Sequence, residues 1–594
     1  MEAELPTDYD VIVLGTGLVE CIVAAASARV GKKVLHIDKN DYYGGQWASF
    51  TLKGLEQWVE ENSSAAQQET AKEEQEAKGG EMLVRTSDPR QVYSKVKLGW
   101  HLQNAKTPEA TPIDINSDSV GSQRCMGEDE STDINKESQA KLETKDEAQH
   151  CRTWSQDDVR DLSRKFNLDL APKLLYSRGS LVELLISSNV ARYAEFKCIT
   201  RVLTWVASRE GEGNLLVVPC TRSDVFTADT ISLIEKRLLM KFLEFCHSYE
   251  ENPEQLEEYA DKLFVDFLKS RKLTDNLIHF VMESIAMVSR EVSCREGLER
   301  MKLFLTSLGR YGATPFLFSM YGCGELPQAF CRLCAVFEGT YILRRPVSSL
   351  IIDSENKCLG VMSEGQRLHC SHLVMDASYV PERYSGIGSS AAQKSISRGI
   401  FITDRSILSS DKEQLTLLRL PEKDGNPQPV TIIEVGAGSG ICPKNLYCVH
   451  MICNGSDAQE DLKVAVQRLF GEDEDKPHVL LHLYFNLADL SGCDLLSGAP
   501  TNVHLCCGPD AELDYDSAID QAKNAFLMMF PEEEFLPRAP DPDEIVFDNA
   551  GAEPKTGDNF DSTTFDKQDS AEVAGKKNMN GEKALDEPTA ASNS

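Results

Sequence analysis

The sequence predicts an α/β protein whose mixed sheets are interrupted by a smaller all-helical domain, flanked by disordered acidic segments. Three observations predict it. A strand–helix–strand pattern opens the chain, helical patterns fill residues 228–310, and short β-rich runs return at 340–380 and 428–510. At 594 residues the chain exceeds what one simple core organises, and a 41% hydrophobic fraction supplies apolar surface for a large one.

Asp10-Val11-Ile12-Val13-Leu14 reads as a buried strand, Gly15-Thr16-Gly17 as a tight turn, and alanine-rich Val19–Arg29 as a helix with Gly31 as its C-cap. Lys33–Asp38 gives a second strand. From about Glu61 to Asp158 the pattern collapses into Ser, Glu, Gln, Lys and Thr, a composition that cannot offset its chain entropy by burial, so disorder is expected. Order resumes near Phe166. Ile231, Ile234, Leu238, Phe242 and Phe245 recur at helical spacing; Leu277–Val288 marks a second, very apolar helix; Leu298, Met301, Leu305 and Leu308 mark a third, ended by Gly309. Val430–Val435 and Val479–Tyr484 are strand runs. The expected organisation is a large α/β domain in three parts (1–60, 159–227 and 311–540), a disordered insertion at 61–158, a helical domain at 228–310 and a disordered tail at 541–594.

Composition excludes several classes. With 62 Lys and Arg against 94 Asp and Glu, the net charge of −32 disfavours a broad grip on nucleic acid or anionic lipid. Residues 61–150 carry net −7 and residues 541–594 net −8, so the two acidic segments account for only part of the excess. Eighteen cysteines in a chain of this length fall well short of a disulfide scaffold. The opening MEAELPTDYD predicts no secretory leader, no apolar run predicts a membrane span, and the closing ALDEPTAASNS lacks a prenylation cysteine. These features read as a reduced, cytosolic protein.

The opening turn resembles a dinucleotide fingerprint, in which glycines admit a pyrophosphate to a helix N-terminus and an acid about 20 residues on, here Asp38, holds ribose hydroxyls. The pattern reads Gly15-Thr16-Gly17-Leu18-Val19-Glu20, with a glutamate where the third glycine belongs. A carboxylate there can itself satisfy the helix N-terminus, which favours a retained fold without the cofactor. Gly436–Gly440 lacks the lysine of a P-loop and reads as a loop; Cys331 and Cys334 lack a second ligand pair and read as buried helix thiols; Cys506-Cys507 is ambiguous. The histidines form no metal-binding spacing. The segment Tyr311–Arg332 alternates glycines and aromatics, with Glu325 and Arg332 two turns apart on a helix opened by Pro327. A structural loop with an exposed ion pair and a protein-docking surface both fit it.

Three blocks are specific enough to carry a resemblance: DVIVLGTGLVECIVAAASARVGKKVLHIDKNDYYGGQWASF, KLLYSRGSLVELLISSNVARYAEFK and FLFSMYGCGELPQAFCRLCAVFEGTYILRRPV. They resemble the family of GDP-dissociation inhibitors and Rab escort proteins, and the likeness covers most of 8–60 and 165–540. The resemblance implies an FAD-binding-like fold of the dissociation-inhibitor type that uses no flavin, and binding to GDP-form Rab GTPases. The two acidic additions are similar to those of the escort branch. That branch implies a non-catalytic, cytosolic accessory that presents new Rab to the geranylgeranyltransferase type II α/β heterodimer, shelters the geranylgeranyl lipid in its helical domain, and delivers the product in transient membrane contact. By motif, Tyr43 in DYYGG, with Glu325 and Arg332 in GELPQAFCR, match the family's Rab-binding platform. Phe226 in SDVF and Arg237 in EKR match the escort contact with the transferase. A dissociation inhibitor, a flavin oxidoreductase and a generic scaffold are the rival readings.

Overall fold

The run Val11–Leu14 builds a strand, Asp8–Leu14, flanked in parallel by Val34–Ile37 and Gln366–Asp376. A central parallel strand is covered on both faces, and its side chains alternate between two cores: Val11 and Val13 point into one, Ile12 and Leu14 into the other. The helix Leu18–Arg29 that follows is apolar all round and buried along almost its whole length, the pattern of a helix inside a core. It packs against the helices Glu325–Val336 and Asp516–Met529. Its end is closed by Gly31, whose φ of +78° lets its N–H reach the Ala28 carbonyl (3.0 Å) while the Lys32 N–H reaches that of Ser27 (3.1 Å).

This computed structural model describes residues 5–538 apart from 64–79, where only the strand Gln75–Glu76 is placed, 87–91, 103–153, and short breaks at 208–212, 222–223, 226–230, 252–255, 260–261, 382–383, 385–393, 423–425, 472, 474 and 491–497. The expectations for 541–594, for 103–153 and for Phe226 therefore lie outside the described residues. Residues 1–539 form one compact unit.

Two large mixed sheets carry that unit. The nine-stranded sheet runs Thr340–Ile342, Val34–Ile37, Asp8–Leu14, Gln366–Asp376, Cys358–Ser363, Val347–Ile352, Met82–Arg85 and Gln75–Glu76, with Val503–Cys506 also paired to Gln366–Asp376. The eight-stranded sheet runs Gly213–Val217, Arg201–Ala207, Thr416–Leu420, Val430–Val435, Tyr447–Asn454, Ser395–Thr403, Val479–Ala488 and Tyr93–Trp100. Disorder throughout 61–158 is thus corrected: Met82–Arg85 and Tyr93–Trp100 each form the next strand of a sheet, and the helix Leu52–Ser63 runs into the segment. Both strands are stabilised by partners far along the chain, and Tyr93 packs edge-on against Trp58 with ring centroids 4.8 Å apart.

The described residues between 231 and 310 build the helices Leu233–Ser248, Phe264–Ser270, Asp275–Phe280 and Cys294–Ser307. Ser232, Thr274 and Ser293 cap three of these helices through their hydroxyls. One expected face needs correction. Leu239, Phe242 and Cys246 form the buried stripe of Leu233–Ser248, whereas Ile234 is 72% exposed. The apolar helix from Asp275 widens into a π turn at Val281–Ile285, where buried Glu283 meets Arg419 of the second sheet (3.9 Å).

Candidate functional site

Two backbone devices build a groove. The first is the turn at Tyr43-Gly44-Gly45. Gly44 has φ +98°, and its N–H donates to the Thr16 carbonyl (3.0 Å) and hydroxyl (3.1 Å), which ties the turn to the first strand–helix junction. A Cβ on Gly44 would meet the Ala48 backbone at 3.0 Å, so glycine is required. Tyr42 turns inward onto Phe50 (centroids 4.8 Å apart), leaving Tyr43 half-buried beside Tyr341.

The second is the bend Tyr321–Gly324. Asp169, fully buried, accepts hydrogen bonds from the Ser49 hydroxyl and from the Cys323 N–H (2.7 Å), while the Gly324 N–H donates to Ser49 Oγ (2.8 Å). Burial lifts the Asp169 carboxyl to about 6, against the opposing pull of these bonds and of buried Arg398. The bend delivers the chain into the helix Glu325–Val336. That helix opens two residues before Pro327 rather than at it; a proline in the first turn loses nothing, because N–H groups there have no intrahelical acceptor.

The result is a groove of about 360 Å³ lined by Tyr43, Tyr193, Glu325, Gln328, Arg332 and Tyr341, among others. The three residues expected to act together, Tyr43, Glu325 and Arg332, therefore share one surface. Glu325 is half-buried, and desolvation first, then the Asp169 charge, pushes its carboxyl upward. The expected ion pair between Glu325 and Arg332 is not among those of the described residues. Arg332 instead lies over the Tyr193 ring, 4.7 Å from its centroid. Cys331 also lines the groove, its Sγ 3.4 Å from that of buried Cys21, and Cys334 is fully buried. Tyr193 and Tyr341 escaped the sequence reading because VARYAEFK and GTYIL offer no pattern beyond ordinary elements.

Arg237 does not line this groove. It is exposed on Leu233–Ser248, one turn beyond the exposed Leu233 and Ile234. The loop Gly436–Gly440 is a short turn whose Ser439 carbonyl accepts from the Tyr321 N–H (3.0 Å), so it buttresses the bend. Among the described residues no helix is long and apolar enough to cross a membrane, and no group of three or more His, Cys, Asp or Glu is placed to hold a metal ion.

The dinucleotide reading can be tested on the residues themselves. Glu20 is buried and folds back over the helix N-terminus, close enough that a Cβ on Gly17 would meet its Oε2 at 2.4 Å. A pyrophosphate would meet that carboxyl where it needs bare N–H groups. Asp38, the ribose acid of that reading, already accepts from the Thr16 N–H (2.8 Å), the Thr16 hydroxyl (2.7 Å) and the Asn40 N–H (2.9 Å). The site does not fit a flavin dinucleotide.

The family model described as GDP dissociation inhibitor matches residues 2–76 and 140–534. The chain belongs to the GDP dissociation inhibitor family. Rab proteins geranylgeranyltransferase component A 1 of Rattus norvegicus is 38% identical, over 92% of this chain and 94% of that protein. Component A 2 of Mus musculus is 39% identical, over 93% of this chain and 100% of that one. A crystal structure of a Rab GDI from Plasmodium falciparum superposes with a TM-score of 0.59 at 19% identity, covering 89% of this chain and all of that one, which bears on the fold. In this chain the groove draws on all three segments that carried the resemblance: Tyr43 from the YYGG block, Tyr193 from the VARYAEFK block, and Glu325 and Arg332 from the GELPQ block.

Proposed function

We propose that this chain is a Rab escort protein, the non-catalytic component A of Rab geranylgeranyltransferase. It binds newly made Rab GTPases in the GDP form, presents them to the transferase α/β heterodimer for C-terminal geranylgeranylation, and carries the lipidated product to membranes from the cytosol. The observation that carries this reading is the convergence of Tyr43, Glu325 and Arg332 on one groove, in a chain whose component A relatives match it nearly end to end.

The groove's chemistry suits a protein partner: aromatic walls supply contact area, and a carboxyl and a guanidinium supply polar anchors. GTPase switch regions change conformation with nucleotide, so a surface that reads their GDP arrangement discriminates by differential contact. Phe226 and Arg237 form the transferase contact. Exposed Leu233 and Ile234, on the same helix as Arg237, add apolar area beside that arginine. The helical stretch 228–310 forms the lipid-sheltering domain beside an α/β domain built from 1–60, 159–227 and 311–540, joined by the two strands at 82–85 and 93–100.

Size-exclusion chromatography of the full chain with the α/β heterodimer and GDP-loaded Rab tests the reading. A ternary peak that is lost when Rab is loaded with a GTP analogue is expected. Failure of GDP-loaded Rab to co-elute would overturn it.

A further inference from the structure

Tyr193 enters the groove from the turn Val190–Tyr193, which no motif singles out. Its ring is shared by two cations. The guanidinium of Arg332 lies 4.7 Å from the ring centroid, and that of Arg192 also lies 4.7 Å away, with Arg192 Nη2 donating to the Tyr193 hydroxyl (2.6 Å). Arg332 is exposed and, among the described residues, its side chain has neither an ion pair nor a hydrogen bond, so the Tyr193 ring is its anchor. A long, rotamer-rich side chain on a helix surface otherwise loses that freedom only when a partner arrives, which weakens binding.

We propose that Tyr193 is a positioning residue for Arg332. Its ring face pre-sets the guanidinium at the rim of the groove, and Arg192 fixes the ring by bonding its hydroxyl. The inference rests on the reading of the groove as the Rab-binding platform and adds a residue that acts through Arg332 rather than on the partner. The ring face does the positioning and the hydroxyl bond only steadies the ring, so Tyr193→Phe keeps most of the function, whereas Tyr193→Leu fills similar space without an electron-rich face.

The test is a double-mutant cycle on the full chain, with affinity for GDP-loaded Rab read by titration and folding checked by thermal unfolding. Arg332→Ala is expected to weaken binding about tenfold or more, as truncation of an anchor does. Tyr193→Leu is expected to weaken it about two- to five-fold, the worth of an exposed cation–π contact. Tyr193→Phe should stay within about twofold of the parent. In the Arg332→Ala background, Tyr193→Leu should add nothing. If Tyr193→Leu is silent in the parent, or weakens both backgrounds equally while Arg332→Ala weakens binding, the positioning role is overturned and the platform stands. If Arg332→Ala leaves affinity unchanged, the platform reading falls, and this inference with it.

Discussion

At the scale of one residue, Glu20 separates this chain from a dinucleotide-binding one. Its carboxyl occupies the helix N-terminus that a phosphate would need, and burial, with Asp376 next in size, pushes its pKa well above the ordinary 4.5. A carboxyl whose folded pKa is raised is unpenalised below its unfolded pKa and destabilises increasingly as pH rises through the folded value. Glu20→Gln should therefore match the parent near pH 4 and exceed it at pH 8 by about 1 kcal/mol or more, the linkage worth of one pKa unit. Chemical denaturation at both pH values checks this, and a less stable variant at pH 8 would show that a charged carboxylate is needed. The sequence made this substitution legible because one glutamate breaks a known spacing. Tyr193 was not legible, since its importance comes from meeting Arg332 in space. For the proposed transferase contact, Phe226→Ala should weaken recruitment of the heterodimer by about tenfold or more while Rab affinity survives, as for a hot-spot aromatic. Loss of both together, measured by titration of each partner, would indicate misfolding instead.

At the scale of elements, the bend before Glu325–Val336 is where backbone geometry sets function. A Cβ on Gly324 would lie 2.7 Å from Ser49 Oγ and 2.8 Å from the Ser49 nitrogen, and backbone cannot swing away as a long side chain can. Gly324→Ala should cost about 1–3 kcal/mol, the range for overpacking, and weaken Rab binding by shifting Glu325. Unchanged melting and unchanged affinity would mean that the bend tolerates what its contacts forbid. The strand Tyr93–Trp100 carries a second prediction. Tyr93 packs against Trp58 and Phe485, so Tyr93→Ala should destabilise by roughly 3 kcal/mol in denaturant titration. A change under about 0.5 kcal/mol, the range of ordinary surface substitutions, would return this strand to the status of a dispensable insertion. The strand escaped the sequence reading because it is an edge strand in an acidic, Ser-rich neighbourhood, and its pairing with Val479–Ala488 is invisible to local composition. The opening strand, helix and Gly31 cap were legible because propensity, pattern and cap all agree there. The helix Leu233–Ser248 was legible in place but not in rotation: Ile234 fits the spacing of an apolar face yet points to solvent.

At the scale of the molecule, the nine-stranded sheet and the helices packed beside it bring segments from the start and middle of the chain to one rim. Tyr43 follows the strand Val34–Ile37, Tyr341 lies in the neighbouring strand Thr340–Ile342, and Glu325 and Arg332 ride on the helix that packs against Leu18–Arg29. The chain thus sets the groove beside a strand–turn–helix whose phosphate position Glu20 closes. The proposed role of this groove is to present substrate to a separate enzyme. The direct measurement is geranylgeranyl incorporation into unprenylated Rab by the type II transferase, with and without this protein. Incorporation only in its presence, lowered by Arg332→Ala, is the predicted result. Equal incorporation without it, or no stimulation alongside retained binding to already prenylated Rab, would contradict the account and favour a recycling inhibitor.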